Sequence, residues 1–191
     1  MSSPPSGSRA NGAAPWPNEC LEAILAPWTG AGPVTYQGRL IHFEDVSNIA
    51  THQRPHPPIW VGGASSAAFR RAARFGDAWH PILRSLDWVK ETGLPGLHQA
   101  AQQAHRRVPT FCPRIRLDVR DESHAGGRLA GSGSVEQVHA DLQELERLGA
   151  EHVILDWNAG DLAATQDHER GWAMLRLLAE QVVDLPRAVV R

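Results

Sequence analysis

Residues 57–81 read PPIWVGGASSAAFRRAARFGDAWHP, and this stretch decides the fold of the chain. Its apolar run Ile59–Val61, with prolines before it and glycines after it, predicts a short strand that is buried on both faces. Gly62 and Gly63 then allow a turn without a Cβ, and Ser65 or Ser66 is expected to cap the helix that follows.

The helix after this turn has one apolar side, formed by Ala68, Phe69, Ala72, Ala73 and Phe75. We expect it to end at Gly76, after which a second strand begins with Ala78-Trp79. A strand, a glycine turn, a helix and a second strand together predict a βαβ crossover.

The glycine turn is the first candidate functional site. Backbone N–H groups at a helix N-terminus point outward, and the helix dipole adds partial positive charge, so this place suits a phosphate. The alternative is a plain tight turn in which glycine only provides a positive φ. Such turns are common, and the residues alone favour the plain turn. A full G-x-G-x-x-G pattern is absent, which gives a Rossmann fold little support.

Length and composition indicate one globular domain with a sizeable core. The chain has 191 residues, of which 42% are hydrophobic and 21% charged. Its net charge of −2 gives no argument for a nucleic-acid or anionic-membrane partner. Cys20 and Cys112 are far apart, so neither a disulfide framework nor a zinc site is predicted. No apolar run has the ~20 residues of a membrane helix and no signal peptide is recognisable, so the cytoplasm is the expected compartment.

The chain before the glycine turn predicts three features. Residues 1–17 are rich in Ser, Pro, Gly and Ala, which predicts a disordered segment ahead of a domain over 18–191. A short helix capped by Asn18 is expected over Glu19–Pro27, and a strand or a hairpin that turns near Gln37-Gly38 over 33–43.

The chain after the second strand continues the alternation of helices and strands. We expect a helix from Leu86 to about Arg107 that is interrupted near Gly93–Gly96, a strand over 113–119, a helix over Val135–Leu148 capped by Ser134, a strand over His152–Trp157 and a last helix over Glu169–Val183.

Two parts of the sequence resemble those of a known family. The first is Pro57-Pro58-Ile59-Trp60-Val61-Gly62-Gly63 with the Arg-Arg-Ala-Ala helix and Gly76-Asp77-Ala78-Trp79-His80-Pro81. The second runs from Gly133-Ser134 through Leu148-Gly149-Ala150 to His152-Val153-Ile154-Leu155. Both resemble the luciferase-like monooxygenase family, and within it the branch of coenzyme F420-dependent oxidoreductases. The Gly-Asp-Gly-Trp pattern of that family is Gly-Asp-Ala-Trp here, and the resemblance covers about Glu19 to Val183.

This resemblance implies a (β/α)8 barrel that binds the deazaflavin F420 or FMN. F420 is the expected cofactor and FMN the alternative. The double glycine corresponds to a family turn whose backbone helps to hold the cofactor phosphate.

The predicted units fill only part of such a barrel. Four strands are each followed by a helix, whereas a complete barrel has eight such units in about 250 residues. We therefore expect an α/β fold that is a partial (β/α)8 TIM barrel of about four carboxyl-terminal βα units. A small open doubly wound sheet is the alternative.

The active face of a barrel lies at the carboxyl ends of its strands. From this position we predict that Gly62, Gly63, Ala64, Ser65 and Ser66 bind the cofactor. Trp79 and Arg84 are predicted to bind substrate and His80 to act in catalysis. Arg120–Glu122 and Asn158 are further candidates at the same face. Imidazole exchanges a proton near neutral pH, which suits a reaction in which a substrate hydroxyl loses one. The alternative for His80 is a side chain satisfied by a backbone carbonyl.

Other conspicuous residues have simpler interpretations. His52 and His56 lie in a proline-rich loop without preset geometry, so no metal site is predicted. Arg70, Arg71 and Arg74, on the helix after the glycine turn, are expected to form a solvated face, with contact to the acidic tail of a deazaflavin as the alternative. Trp60 and Trp88 are expected to pack in the core.

The function that the resemblance implies is oxidoreduction, with hydride transfer to or from a small organic substrate. The alternatives are an FMN-dependent monooxygenase and a non-catalytic truncated fragment or partner half of such an enzyme. The expected partners are a small-molecule substrate and either a second copy of the chain or a missing first half of the barrel. No nucleic acid or membrane partner is expected.

Overall fold

The computed structural model describes residues 16–47, 52–83, 85–120, 123, 127–158, 166–184 and 189–190. The chain divides into two compact units, Met1–Pro57 and Pro58–Arg191. Of the segment predicted to be disordered, residues 1–15 lie outside the described residues, and α1 (Trp16–Thr29) follows them.

The first unit consists of α1 and an antiparallel hairpin of β1 (Val34–Gln37) and β2 (His42–Val46). The predicted hairpin is confirmed, and a hydrogen bond from Gly38 N to Ile41 O (2.9 Å) closes its turn. α1 begins at Trp16, so the predicted cap Asn18 lies inside the helix, and two helical residues follow Pro27.

One carboxylate joins α1 to the hairpin. Glu19 accepts hydrogen bonds from the backbone N–H groups of Leu40 (2.5 Å) and Ile41 (2.8 Å). These two bonds stabilise the charged form, so the pKa of Glu19 is lowered from its ordinary value.

The second unit alternates strands and helices. Its strands are β3 (Trp60–Gly62), β4 (Ala78–His80), β5 (Thr110–Phe111), β6 (Arg114–Arg116), β7 (Asp118–Val119), β8 (Ser132–Gly133), β9 (Ile154–Asp156), β10 (Val183–Asp184) and β11 (Val189–Val190). Its helices are α2 (Ser66–Phe75), α3 (Leu86–Trp88), α4 (Leu94–Gln103), α5 (Val135–Arg147) and α6 (His168–Leu177), with π-helical turns at Val89–Gly93 and Leu178–Val182.

The βαβ crossover is confirmed. β3 and β4 are parallel, with Trp60 opposite Ala78 and Gly62 opposite His80. Ser65 is the N-cap of α2, since its Oγ accepts a hydrogen bond from Ala68 N (3.2 Å).

β3, β4 and β5 form one parallel sheet in the order of the chain. β4 pairs in parallel with β5, β6 with β9, and β7 with β8. Parallel bridges from Ile82 to Arg114 and from Phe111 to Ala150 join these pairs. A doubly wound sheet reverses its strand order at a switch point, and the order β3-β4-β5 shows no such reversal. The predicted part of a (β/α)8 barrel is therefore confirmed.

The helical run that begins at Leu86 continues where a break is expected. A π-helical turn, Val89–Gly93, leads directly into α4. The glycines serve close packing instead, because a Cβ at Gly93 would lie 2.9 Å from Trp79 and one at Gly96 only 2.6 Å from Phe69.

The later helices begin where the sequence indicates. Ser134 caps α5, and it forms a reciprocal capping box with Gln137. The last predicted helix is observed as α6 and the π-helical turn after it, and the antiparallel pair of β10 and β11 is an addition that the pattern does not predict.

The parallel strands have one covered and one open face, because alternate residues point to opposite sides. Val61, Trp79 and Ile115 face the helices and are between 0% and 5% exposed. Trp60 and Ile154 lie on the other side and are 39% and 43% exposed. The expectation that both faces of these strands are buried is therefore wrong for the open side, which we call the inner face. In a complete barrel the remaining strands would cover this inner face.

Candidate functional site

The glycine turn lies at the carboxyl end of β3, and its conformation requires glycine. Gly63 has φ 104°, and a Cβ there would lie 2.9 Å from the Cβ of Ala68. The indole Nε1 of Trp79 donates a hydrogen bond to Gly63 O (2.8 Å). Because a trans peptide directs its C=O and its N–H to opposite sides, the N–H of Ala64 points away from this buried indole.

The first amides of α2 add to this turn. Ser65 satisfies two of them, since its Oγ and its carbonyl accept from Ala68 N and Phe69 N. The N–H groups of Ala64, Ser66 and Ala67 have no hydrogen-bond acceptor within the described ranges. Outward-pointing amides at the positive end of a ten-residue helix can hold an anion.

His80 lies beside this turn, on the neighbouring strand. It is in register with Gly62, and both are on the inner face. Its Nδ1 is 2.6 Å from the carbonyl oxygen of Cys112. A carbonyl only accepts, so Nδ1 carries the hydrogen and the neutral ring keeps a lone pair on Nε2. Nε2 has no hydrogen-bond partner in the described part of the chain.

Two tryptophans exchange the roles that the sequence assigns to them. Trp79, predicted to contact substrate, is 0% exposed and packs against Phe69 and Phe111 with ring centroids 5.4 Å away. This position corrects the prediction, because a side chain enclosed by the helices meets no substrate. Trp60, predicted to pack in the core, stands on the inner face with its ring 5.4 Å from that of His80.

Parallel register explains this exchange. Val61 pairs with Trp79 and Trp60 pairs with Ala78, and paired residues point to the same side of a sheet. Once Val61 faces the helices, Trp79 must face them too. An apolar strand without alternation gives no such information about its faces.

The remaining nominated residues are scattered. Arg84, Asp121 and Glu122 lie outside the described residues. Arg120, just after β7, is paired with Asp118 (Nη2–Oδ2 2.7 Å), and Asn158 is half-buried beyond β9.

The charged residues of β6 and β7 are the part of the inner face that sequence reasoning missed. Arg114 donates from Nε and Nη2 to Asp156 Oδ2 (2.9 and 2.5 Å) across the strand pair. The sequence contained a signal for this cluster, since Arg114, Arg116 and Asp118 alternate with apolar residues and must therefore share one face of the strand. The pKa of Asp118 is lowered, mainly by its hydrogen bond from Arg120 and further by the nearby charges of that side chain, Arg116 and Arg170.

Two other kinds of site have no support in the described residues. These residues contain no group of three or more His, Cys, Asp and Glu that could share a metal ion. No helix among them has both the length and the apolar character needed to cross a membrane.

A sequence model of the luciferase-like monooxygenase family matches residues 17–126, which is more than half of the chain. Three solved structures resemble its fold. One is the coenzyme F420-dependent tetrahydromethanopterin reductase from Methanopyrus kandleri, with a TM-score of 0.66, 12% identity, and 90% of this chain and 62% of that chain covered.

The second is a monooxygenase from Streptomyces bottropensis, with a TM-score of 0.60, 20% identity and coverage of 90% and 60%. The third is a riboflavin lyase with modified FMN and the substrate riboflavin, with a TM-score of 0.57, 11% identity and coverage of 86% and 56%. The chain thus spans between 56% and 62% of the length of these structures. At such identities the likeness shows a shared fold.

Proposed function

The chain belongs to the luciferase-like monooxygenase family, and from this we propose that it takes part in the flavin- or deazaflavin-dependent oxidation or reduction of a small organic molecule. The carrying observation is the set of amides at the glycine turn, those of Ala64, Ser66 and Ala67, which the described residues leave without acceptors. A cofactor phosphate would complete their hydrogen bonding at the positive end of α2.

The turn also has the open backbone that a bound ring or ribityl chain needs. A Cβ at Gly62 would meet only the carbonyl oxygen of His80, at 3.4 Å, so this strand end is bare on its inner face. Gly62, Gly63, Ala64, Ser65 and Ser66 would hold the cofactor, with the hydroxyl of Ser65 also serving as the helix cap.

F420 is the cofactor that we propose, with FMN as the alternative. Support for F420 comes from the sequence resemblance to the F420-dependent branch and from the similar fold of an F420-dependent reductase. Support for FMN comes from the similar fold of a riboflavin lyase with modified FMN. When bound, either cofactor supplies the redox chemistry, and the protein supplies anchoring, orientation and proton transfer.

His80 is the catalytic residue that we propose. Its Nδ1 bond to Cys112 O fixes the ring and leaves Nε2 available as a proton acceptor. The register of His80 with Gly62 supports a role for this base beside the proposed cofactor site. Nε2 would accept the proton of a substrate hydroxyl during oxidation and return it in the reverse direction.

A second candidate function is that of a partner half without activity of its own. The exposed inner-face side chains of Trp60 and Ile154 favour it, because in a closed barrel such side chains pack against the other strands. We propose that the chain associates either with a second copy or with a separate first half of a barrel.

The experiment that tests the proposed function is a titration of the purified chain with F420 and with FMN, followed by absorbance and fluorescence. The informative variant is Gly62→Val, which fills the bare inner face next to His80 while its Cβ contact stays ordinary. We expect it to weaken cofactor binding by more than tenfold, or about 1.4 kcal/mol. Gly63→Val is less informative because it would also strain the turn.

Gly32→Val is the matched control, since a Cβ at Gly32 meets no atom within 4 Å. Equal affinities of Gly62→Val, Gly32→Val and the unsubstituted chain would refute the cofactor site. Tighter binding of FMN than of F420 would reverse our choice of cofactor. A chain that binds neither cofactor, even with a first half-barrel supplied, would favour the partner-half function.

A further inference from the structure

A pocket lies at the carboxyl side of the sheet, away from the glycine turn. It is a cavity of about 240 Å³ beside β7 and β8, and three arginines and one carboxylate line it, namely Arg116, Arg120, Arg128 and Asp118. We propose that this arginine pocket binds an oxyanion, the carboxylate or phosphate group of the substrate.

Arg116 is the main candidate donor of this pocket. On β6 it alternates with Ile115, which is fully buried against the helices, so the guanidinium stands on the inner face. Within the described ranges Arg116 forms no hydrogen bond or ion pair. Its five N–H donors are therefore available, in a planar fork that matches a carboxylate or a phosphate.

The other two arginines have different roles. Arg120 donates hydrogen bonds from Nε and Nη2 to Asp118 Oδ2 (3.2 and 2.7 Å). These bonds orient the guanidinium and leave Nη1 to donate to a ligand. Arg128 uses both terminal nitrogens on Asp141 and on the carbonyls of Ser132 and Gln137. Arg128 is thus a fixed wall of the pocket, and Arg116 and Arg120 are its donors.

The field in the pocket remains positive despite its carboxylate. The pKa of Asp118 is lowered, first by the hydrogen bond from Arg120 and also by the charges of Arg120, Arg116 and Arg170, although burial opposes this. Asp141 balances the charge of Arg128, so among the described residues Arg116 and Arg120 face only Asp118, which leaves one net positive charge for a ligand.

The position of the pocket favours a substrate as the source of the anion. The strands of both sites are parallel, so the arginine pocket and the glycine turn lie at the same edge of the sheet but on different strands. A molecule held by its oxyanion in the pocket would extend across the inner face. Assignment of the anion to a substrate rests on the proposed function, whereas binding of an anion does not.

Equilibrium dialysis of the full chain with radiolabelled inorganic phosphate tests the pocket without any cofactor. Because the glycine turn can also bind phosphate, the pocket is followed as one of two binding sites. We expect Arg116→Gln to weaken that site at least tenfold and to leave the other unchanged, and Arg116→Lys, which keeps the charge but not the fork, to weaken it less. The matched control is Arg106→Gln, an exposed arginine after α4 at the opposite edge of the sheet. Equal phosphate binding by Arg116→Gln and Arg106→Gln would overturn the proposal.

An F420 titration of the same variants identifies the source of the anion. If Arg116→Gln keeps the affinity for F420 within about twofold while it loses phosphate, the anion is that of the substrate. A loss of F420 affinity as large as the loss of phosphate affinity would refute the substrate assignment. Failure of every variant, and of the unsubstituted chain, to bind any cofactor would reject the proposed function but would leave the phosphate result intact.

Discussion

The ion pair between Arg128 and Asp141 is the structural support of the arginine pocket, and Asp141→Asn tests it. Asp141 is only 2% exposed and accepts from both terminal nitrogens of Arg128 and from Gly131 N (2.8 Å). The substitution keeps the shape but removes the charge. Removal of one partner from a buried pair costs about 3–5 kcal/mol. Because the Arg128 side chain is 20% exposed and keeps two carbonyl acceptors, we expect the lower end, about 3 kcal/mol.

For a chain of this length, about 3 kcal/mol corresponds to a decrease in Tm of roughly 6–12 °C. Thermal unfolding followed by circular dichroism measures it, and Glu144→Gln is the matched control. Glu144 is on the same helix and pairs with Lys90 (2.6 Å), but that lysine side chain is 42% exposed, so little change is expected. Equal decreases in Tm for the two variants would show that burial of the Arg128–Asp141 pair does not determine its contribution to the free energy of unfolding.

Two further predictions concern acid stability and association. The pKa of Asp118 is lowered in the folded chain, so its ion pair should stabilise the fold above the unfolded pKa of about 3.9 and lose this contribution as the pH falls through the folded value. The stability difference from Asp118→Asn, at most about 1 kcal/mol because Arg120 is 59% exposed, should shrink in urea titrations toward pH 3; a constant difference would contradict it. In sedimentation velocity the chain alone should associate or aggregate through its open edges, and a single monomer with cooperative unfolding would show that the half-barrel is self-sufficient.

The sequence was sufficient for those elements whose signals are local. The strand, turn and helix of residues 57–81 and the caps at Ser65 and Ser134 depend on residues that are close in the chain, and all are observed. The turn of Gly63 follows from the same kind of signal. A glycine between a strand and a helix cap has few conformations available, and φ 104° is one that other residues rarely adopt.

The face that a side chain occupies and the residues that it contacts depend instead on residues distant in the chain, and for these the sequence was not sufficient. Gly93 and Gly96 predict a break in a helix, but their purpose is to admit the rings of Trp79 and Phe69. Asp77 also has a contact that the sequence alone does not predict. Its carboxylate accepts from the backbone N–H of Ile59 (2.9 Å), and only the fold brings the start of one strand to the end of the helix that follows it.

Trp79 shows why a residue can serve a site without facing it. Its ring belongs to the helix-covered core, yet its indole N–H holds the carbonyl of Gly63. The rigid peptide plane then directs the next N–H, that of Ala64, away from the core and toward the position of the proposed phosphate. The resemblance to the family placed a tryptophan after Gly-Asp-Ala and the site after the double glycine, but it did not connect them. The hydrogen bond connects them, so the orientation of the amides depends on packing of the aromatic cluster behind the sheet.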